Sequence, residues 1–185
     1  MAVALLVGTL LALAGFLLTS VQGFVVAAHL TQAGPAAKLL VTKHVAYAIP
    51  TVLLSLFSQS MVLFFFIGTG RLVKDEIAGY PEPERRRVLD ALRRFKRRTS
   101  PPATFALLSA IGVFVLGGAA HTSAVAPWVH LAAALAAVAT HLWALGAEWT
   151  TFLDNARLMA DPAAYARGGT SAVSRRADAA PRPVP

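Results

Sequence analysis

Apolar residues run through the chain in four long blocks, roughly residues 2–30, 45–70, 103–120 and 128–150. Each approaches or exceeds the ~20 residues that carry a helix across a ~30 Å hydrocarbon core. Four transmembrane helices are therefore predicted. With short connections between consecutive spans, the fold class is an all-α integral membrane protein, a four-helix up-down bundle. The first block has no Lys or Arg ahead of its apolar run. It also continues well past the usual 7–15-residue core of a signal peptide, which predicts a retained helix.

Between the second and third blocks the pattern changes. Pro81 and Pro83 break the second helix, and Pro101-Pro102 punctuates the start of the third. Residues 84–98 read as a separate short amphipathic helix, in which Val88, Leu92 and Phe95 recur at helical spacing. Arg85, Arg86, Arg93, Arg94, Lys96 and Arg97 flank this stripe. Such a helix suits an anionic headgroup surface, so Arg85 to Arg98 is the predicted lipid contact. Nucleic acid is disfavoured, because the stretch has neither an interleaved aromatic platform nor a recognisable binding fold. After Asp161 the apolar period stops and Ala, Pro, Gly and Arg dominate. The predicted organisation is thus a transmembrane domain over residues 1–161 and a disordered basic tail over 162–185.

Charge turns this pattern into an orientation. The 185-residue chain carries 17 Lys+Arg against 9 Asp+Glu, a formal charge of +8. In a soluble protein that excess suggests a nucleic-acid partner; alternating with apolar spans, it sets topology, because Lys and Arg concentrate on the cytoplasmic side. Ten of the seventeen lie between Arg71 and Arg98 and five follow the fourth block, while only Lys38 and Lys43 fall between the first two. Both termini are therefore predicted to be cytoplasmic, in a plasma or inner membrane. Every acid, Asp75 through Asp178, lies at or beyond the cytoplasmic ends of spans.

In that frame the five histidines acquire a pattern. His29 closes the first span, His44 opens the second, His121 closes the third and His130 begins the fourth, so four of them gather at the outer edge. Interfacial histidines are ordinarily unremarked amphipathic residues, yet the shared side makes these four candidate ligands. His141 lies about 16 Å deeper than His130 and, after three turns plus about 20°, on the same face. That face continues through Ala134 and Ala137 to Glu148. An ionisable residue within a span is by default a functional hypothesis; the bland reading is interhelical hydrogen-bonding glue.

The second block carries a matching stripe of His44, Thr51, Ser55 and Gln59, predicted to face the histidine stripe of the fourth. Pro50 is expected to release a backbone carbonyl into the bundle interior. The first block offers Thr19, Gln22, Val26 and His29, and the third Ser109, Gly112, Gly117 and His121.

The absence of Cys excludes disulfides, thiolate metal sites and cysteine nucleophiles. Imidazoles without outer carboxylates disfavour Ca²⁺ and Mg²⁺, and suit haem iron, Zn²⁺, Cu²⁺ or non-haem iron. Small residues such as Gly112, Gly117, Gly118, Ala134 and Ala137 leave room for a flat macrocycle. The leading expectation is a b-type haem held at the outer side by His29, His44, His121 and His130, in electron transfer with quinone or a partner protein. Gln59, His141 and Glu148 are the candidates for proton or quinone handling. The alternatives for the cofactor are a bare transition metal, quinone alone, another tetrapyrrole or none. The alternatives for the protein are a non-catalytic accessory subunit of a larger membrane complex or a small proton or ion conduit, and the expected protein partners are membrane-complex subunits or further copies of the chain. No catalytic residue is assigned: desaturase-like His boxes need closer pairs than the nine-residue minimum here, and no Ser sits in a nucleophile motif.

Overall fold

A computed structural model describes residues 1–29 and 35–167, the side chain of His29 excepted. Four long helices account for nearly all of it: α1 (Ala2–His29), α2 (Pro35–Glu76), α3 (Glu82–His121) and α4 (Pro127–Ala160). A 3₁₀ turn, Ile77–Gly79, links α2 to α3, and residues 162–167 add a last helical stretch. There is no strand among the described residues. All four helices are long and apolar enough to cross a membrane, as an integral membrane protein requires.

The helices outrun the apolar blocks, and packing explains where. α2 begins at Pro35, a residue whose missing N–H costs nothing in a first turn, so Lys38 and Lys43 ride on the helix and His44 sits in its third turn. The larger departure concerns residues 84–98. They form no separate helix but the first half of α3, which runs unbroken through Pro101 and Pro102. Interior prolines ordinarily break a helix by about 3 kcal/mol. Here the buried face crosses them without interruption: Val88, Ala91, Phe95, Thr99, Pro102, Ala106, Ala110 and Val113 follow one another at three- and four-residue steps. Pro102 is itself fully buried. Burial along the whole stripe offsets the lost backbone hydrogen bonds, and the hydroxyl of Thr99 donates to the Phe95 carbonyl just before the proline pair, at 2.8 Å.

The same packing changes the role of the amphipathic stripe. Val88 and Phe95 are buried in a cluster with Val73, Ile77, Ala91, Leu158 and Ala166, so the apolar face is covered by the chain's own α2 and α4 ends. The flanking Arg93, Arg94, Lys96, Arg97 and Arg98 remain exposed. Ala166 lies in the segment 162–167, so the expected tail starts later than residue 162; the rest of it, residues 168–185, lies outside the described residues. Pro50 also departs from expectation. It and Ala46 are exposed, which places the carbonyl it releases on the outer side of α2 rather than in the interior.

α1 packs against α2 and α4, and α3 against α2 and α4. The α1–α2 approach is close because α1 presents glycines. A Cβ on Gly8 would lie 2.6 Å from Ser58 Oγ, and one on Gly15 would lie 2.5 Å from Thr51 Oγ1. Glycine at such steps lets two helix backbones approach closely. On α4 the buried residues Ala134, Ala137, His141, Ala144, Glu148, Thr151, Asn155 and Leu158 alternate steps of three and four, a seam of the coiled-coil type that Ala147 and Phe152 widen toward its end. The distribution of polarity is inverted relative to a soluble protein. Thr9, Gln59, His141 and Glu148 have no exposure at all, whereas Leu11, Leu53, Phe57, Phe64, Ile67 and Leu108 are each more than half exposed.

Candidate functional site

The interior polar side chains fall into three tiers along α2 and α4. At the first tier His44 from α2 and His130 from α4 approach edge to face, with ring centroids 6.2 Å apart and planes at 80°. Nδ1 of each ring is buried and has no hydrogen-bond partner. The backbone carbonyl of Thr19 on α1 lies beside His44, and that of Val113 on α3 beside His130. Glycines open the space. A Cβ on Gly117 would come within 2.9 Å of His130 Cε1, and one on Gly23 within 3.5 Å of His44 Cε1. The Ser20 hydroxyl and the Gln22 side-chain carbonyl, both on α1, are likewise buried and unpartnered.

One helical stretch deeper, His141 is fully buried and its ring is fixed from both sides. Nδ1 lies 2.6 Å from the Ala137 carbonyl and Nε2 lies 2.6 Å from Ser55 Oγ. A carbonyl can only accept, so Nδ1 bears the hydrogen; in the neutral ring Nε2 then accepts from the Ser55 hydroxyl. Phe16 from α1 packs on the imidazole at a centroid distance of 4.6 Å. His44 with His130 and Ser55 with His141 are both 86 residues apart, as expected of two helices running in the same direction at one register. Beside this tier Ser109 on α3 and Thr140 on α4 exchange a hydrogen bond of 2.7 Å.

The third tier joins three helices. Thr9 Oγ1 of α1 donates to Glu148 Oε2 of α4 at 2.9 Å, and Gln59 Nε2 of α2 donates to Thr9 Oγ1 at 3.2 Å. All three side chains are fully buried. The second oxygens, Glu148 Oε1 and Gln59 Oε1, have no partner. The ion pairs among the described residues involve Glu82, Asp90 and Asp154; Glu148 takes part in none. Phe152, with Leu5 and Val62, closes the layer beyond it.

Among the residues singled out from sequence, the structure thus joins His44 to His130 and places Gln59 and Glu148 on the same threonine, with His141 between the two tiers. It leaves His121 exposed at the end of α3, apart from the pair. His29 ends α1, and its side chain lies outside the described residues. Among the described residues no three His, Cys, Asp or Glu side chains converge as a metal-binding group. Thr9 was not anticipated, although a signal existed: it is the sole hydrogen-bonding side chain between Ala2 and Leu18. Phe16 carried no such mark, since its place over His141 depends on the register of α1 against α4. Comparison with protein-family models, with curated proteins and with solved structures gave no match, so function rests on these residues and their chemistry.

Proposed function

We propose that the chain is an integral membrane four-helix up-down bundle with cytoplasmic termini, and that its outer end holds a His-ligated redox cofactor, haem b, in electron exchange with quinone or a partner protein. Membrane insertion is supported by the inverted polarity of the apolar blocks: exposed Leu, Phe and Ile side chains surround buried hydrogen-bonding groups. Exposed Trp128 and Trp149 on α4 stand about 30 Å apart along the axis, the thickness of the hydrocarbon core. The exposed arginines of α3 suit anionic headgroups through charge, without insertion of Val88 or Phe95.

The observation that carries the cofactor reading is the convergence of His44 and His130 from two helices, with a buried, unpartnered nitrogen on each ring. Imidazoles buried with a free ring nitrogen, and with a backbone carbonyl near the ring, are the usual donors to a metal centre. Haem supplies one-electron chemistry when bound. The chain would contribute the imidazoles of His44 and His130, seated against Gly23 and Gly117, and Lys38 and Lys43, exposed on α2 within two turns of His44, as partners for propionates. Visible absorption of the detergent-purified protein, expressed with haem supplied, tests this. A Soret band lost in both His44→Ala and His130→Ala but kept in His121→Ala supports it. A colourless wild-type protein with no bound metal overturns it, and a stoichiometric co-purifying subunit in that sample would favour the accessory-subunit alternative.

A further inference from the structure

The third tier has a hydrogen-bond census that does not balance. Glu148 is an acceptor-only group when ionised, and so is the side-chain oxygen of Gln59. Thr9 gives its only hydrogen to Glu148 Oε2 and receives one from Gln59 Nε2, and the Gln59 amide also lies within reach of the Glu148 carboxyl; Glu148 Oε1 and Gln59 Oε1 remain buried acceptors with no donor. The neighbours offer no positive charge. From α1 and α2 the contacts are Thr9 and Gln59, both uncharged, and the buried face of α3 consists of Val, Ala, Phe, Thr and Pro. On α4 the nearest titratable group toward the outer end is His141, two turns away and held by Ser55 and Ala137. Toward the other end stands Asp154, which pairs with Arg157 at the surface. A bare carboxylate in such a place lacks what every buried charge needs, a counter-charge or donors for all its lone pairs.

We propose that Thr9, Gln59 and Glu148 form a proton-binding site buried in the bundle at the edge of the membrane core, in which Glu148 carries the proton on Oε1 and keeps Oε2 as the carbonyl that accepts from Thr9. The bound proton supplies the donor that this tier lacks. A carboxylic acid held neutral inside the helix bundle, with its carbonyl oriented by a threonine of another helix, is equipped to take up and release one proton. The inference stands on Glu148, Gln59 and Thr9 alone and does not depend on a cofactor at His44 and His130.

Infrared spectroscopy of the full-length protein in lipid nanodiscs at neutral pH is the test. A protonated-carboxyl C=O band reports a neutral acid, and its loss on substitution assigns it to a residue. The expected result is one such band, displaced in D₂O and lost in Glu148→Gln, a variant that keeps shape and the bond from Thr9. In Thr9→Val the band should shift to higher frequency, because the carbonyl loses its donor; a merely structural role for Thr9 would leave it in place. Absence of the band, or its survival in Glu148→Gln, overturns the proposal. So does a band that appears only when sodium is replaced by choline, since the occupant would then be a metal cation.

Discussion

Ser55 on α2 and His141 on α4 share a 2.6 Å hydrogen bond although 86 residues separate them, and the same separation pairs His44 with His130. One register between two helices therefore places two imidazole tiers at once. Any change that slides α4 along α2 disturbs both.

Removing the Ser55 hydroxyl should leave His141 Nε2 without a partner in the interior. Ser55→Ala is expected to lower stability by about 0.5–2 kcal/mol, the range measured for interhelical hydrogen bonds in membranes. His141→Ala should cost more, because it also empties the space under Phe16. Reversible unfolding in mixed detergent micelles measures both, and equal stability of Ser55→Ala and wild type would refute a contribution from this bond.

Glycine substitutions should divide by face. Gly15→Ala sets a methyl group against Thr51 and is expected to destabilise by about 1–3 kcal/mol through overpacking. Gly68→Ala and Gly146→Ala meet nothing within 4 Å. They should be neutral or stabilising by up to about 1 kcal/mol, the helix-propensity gain of Ala over Gly. Thermal melting in one detergent compares the three.

At the tier of His44 and His130, Gly117→Ala should displace the His130 ring, which a Cβ there would approach to 2.9 Å. On the cofactor reading, the Soret band of Gly117→Ala weakens or shifts while Gly118→Ala, which meets nothing within 4 Å, leaves it unchanged. Identical spectra for the two variants would separate Gly117 from the site.

The chain has no native cysteine, so single-cysteine labelling reports topology directly. Arg94→Cys, exposed on α3, should react with a membrane-impermeant maleimide only after the cytoplasmic side is opened. Ala124→Cys, exposed between α3 and α4, should react in intact cells. The reverse pattern would invert the orientation drawn from charge.

How far the site could be read in advance depended on how far each residue's environment is local. The stripe His130, Ala134, Ala137, His141 and Glu148 follows from helical period alone, because one face of one helix needs no knowledge of its neighbours. The stripe of Thr51, Ser55 and Gln59 is similar, and its pairing with α4 followed from the idea that polar faces must meet inside. The partner of Glu148 was not visible: Thr9 stands 139 positions earlier, and nothing within α1 says that its hydroxyl meets a carboxylate. His121 shows the opposite failure. It resembles His130 in position along the sequence, yet the end of α3 leaves it exposed.

Composition and period by themselves determined four apolar helices, their charge asymmetry and the polar face of each, since these depend on residue type and a 3.6-residue repeat. Tertiary packing decided the rest. It carried α3 straight through Pro101 and Pro102, because a continuous buried stripe outweighed two missing N–H donors. It covered Val88 and Phe95 with the chain's own helix ends, and it brought His44 to His130 while leaving His121 exposed. It also assembled Thr9, Gln59 and Glu148, since hydrogen bonds between helices are set by register and depth, which no single segment contains.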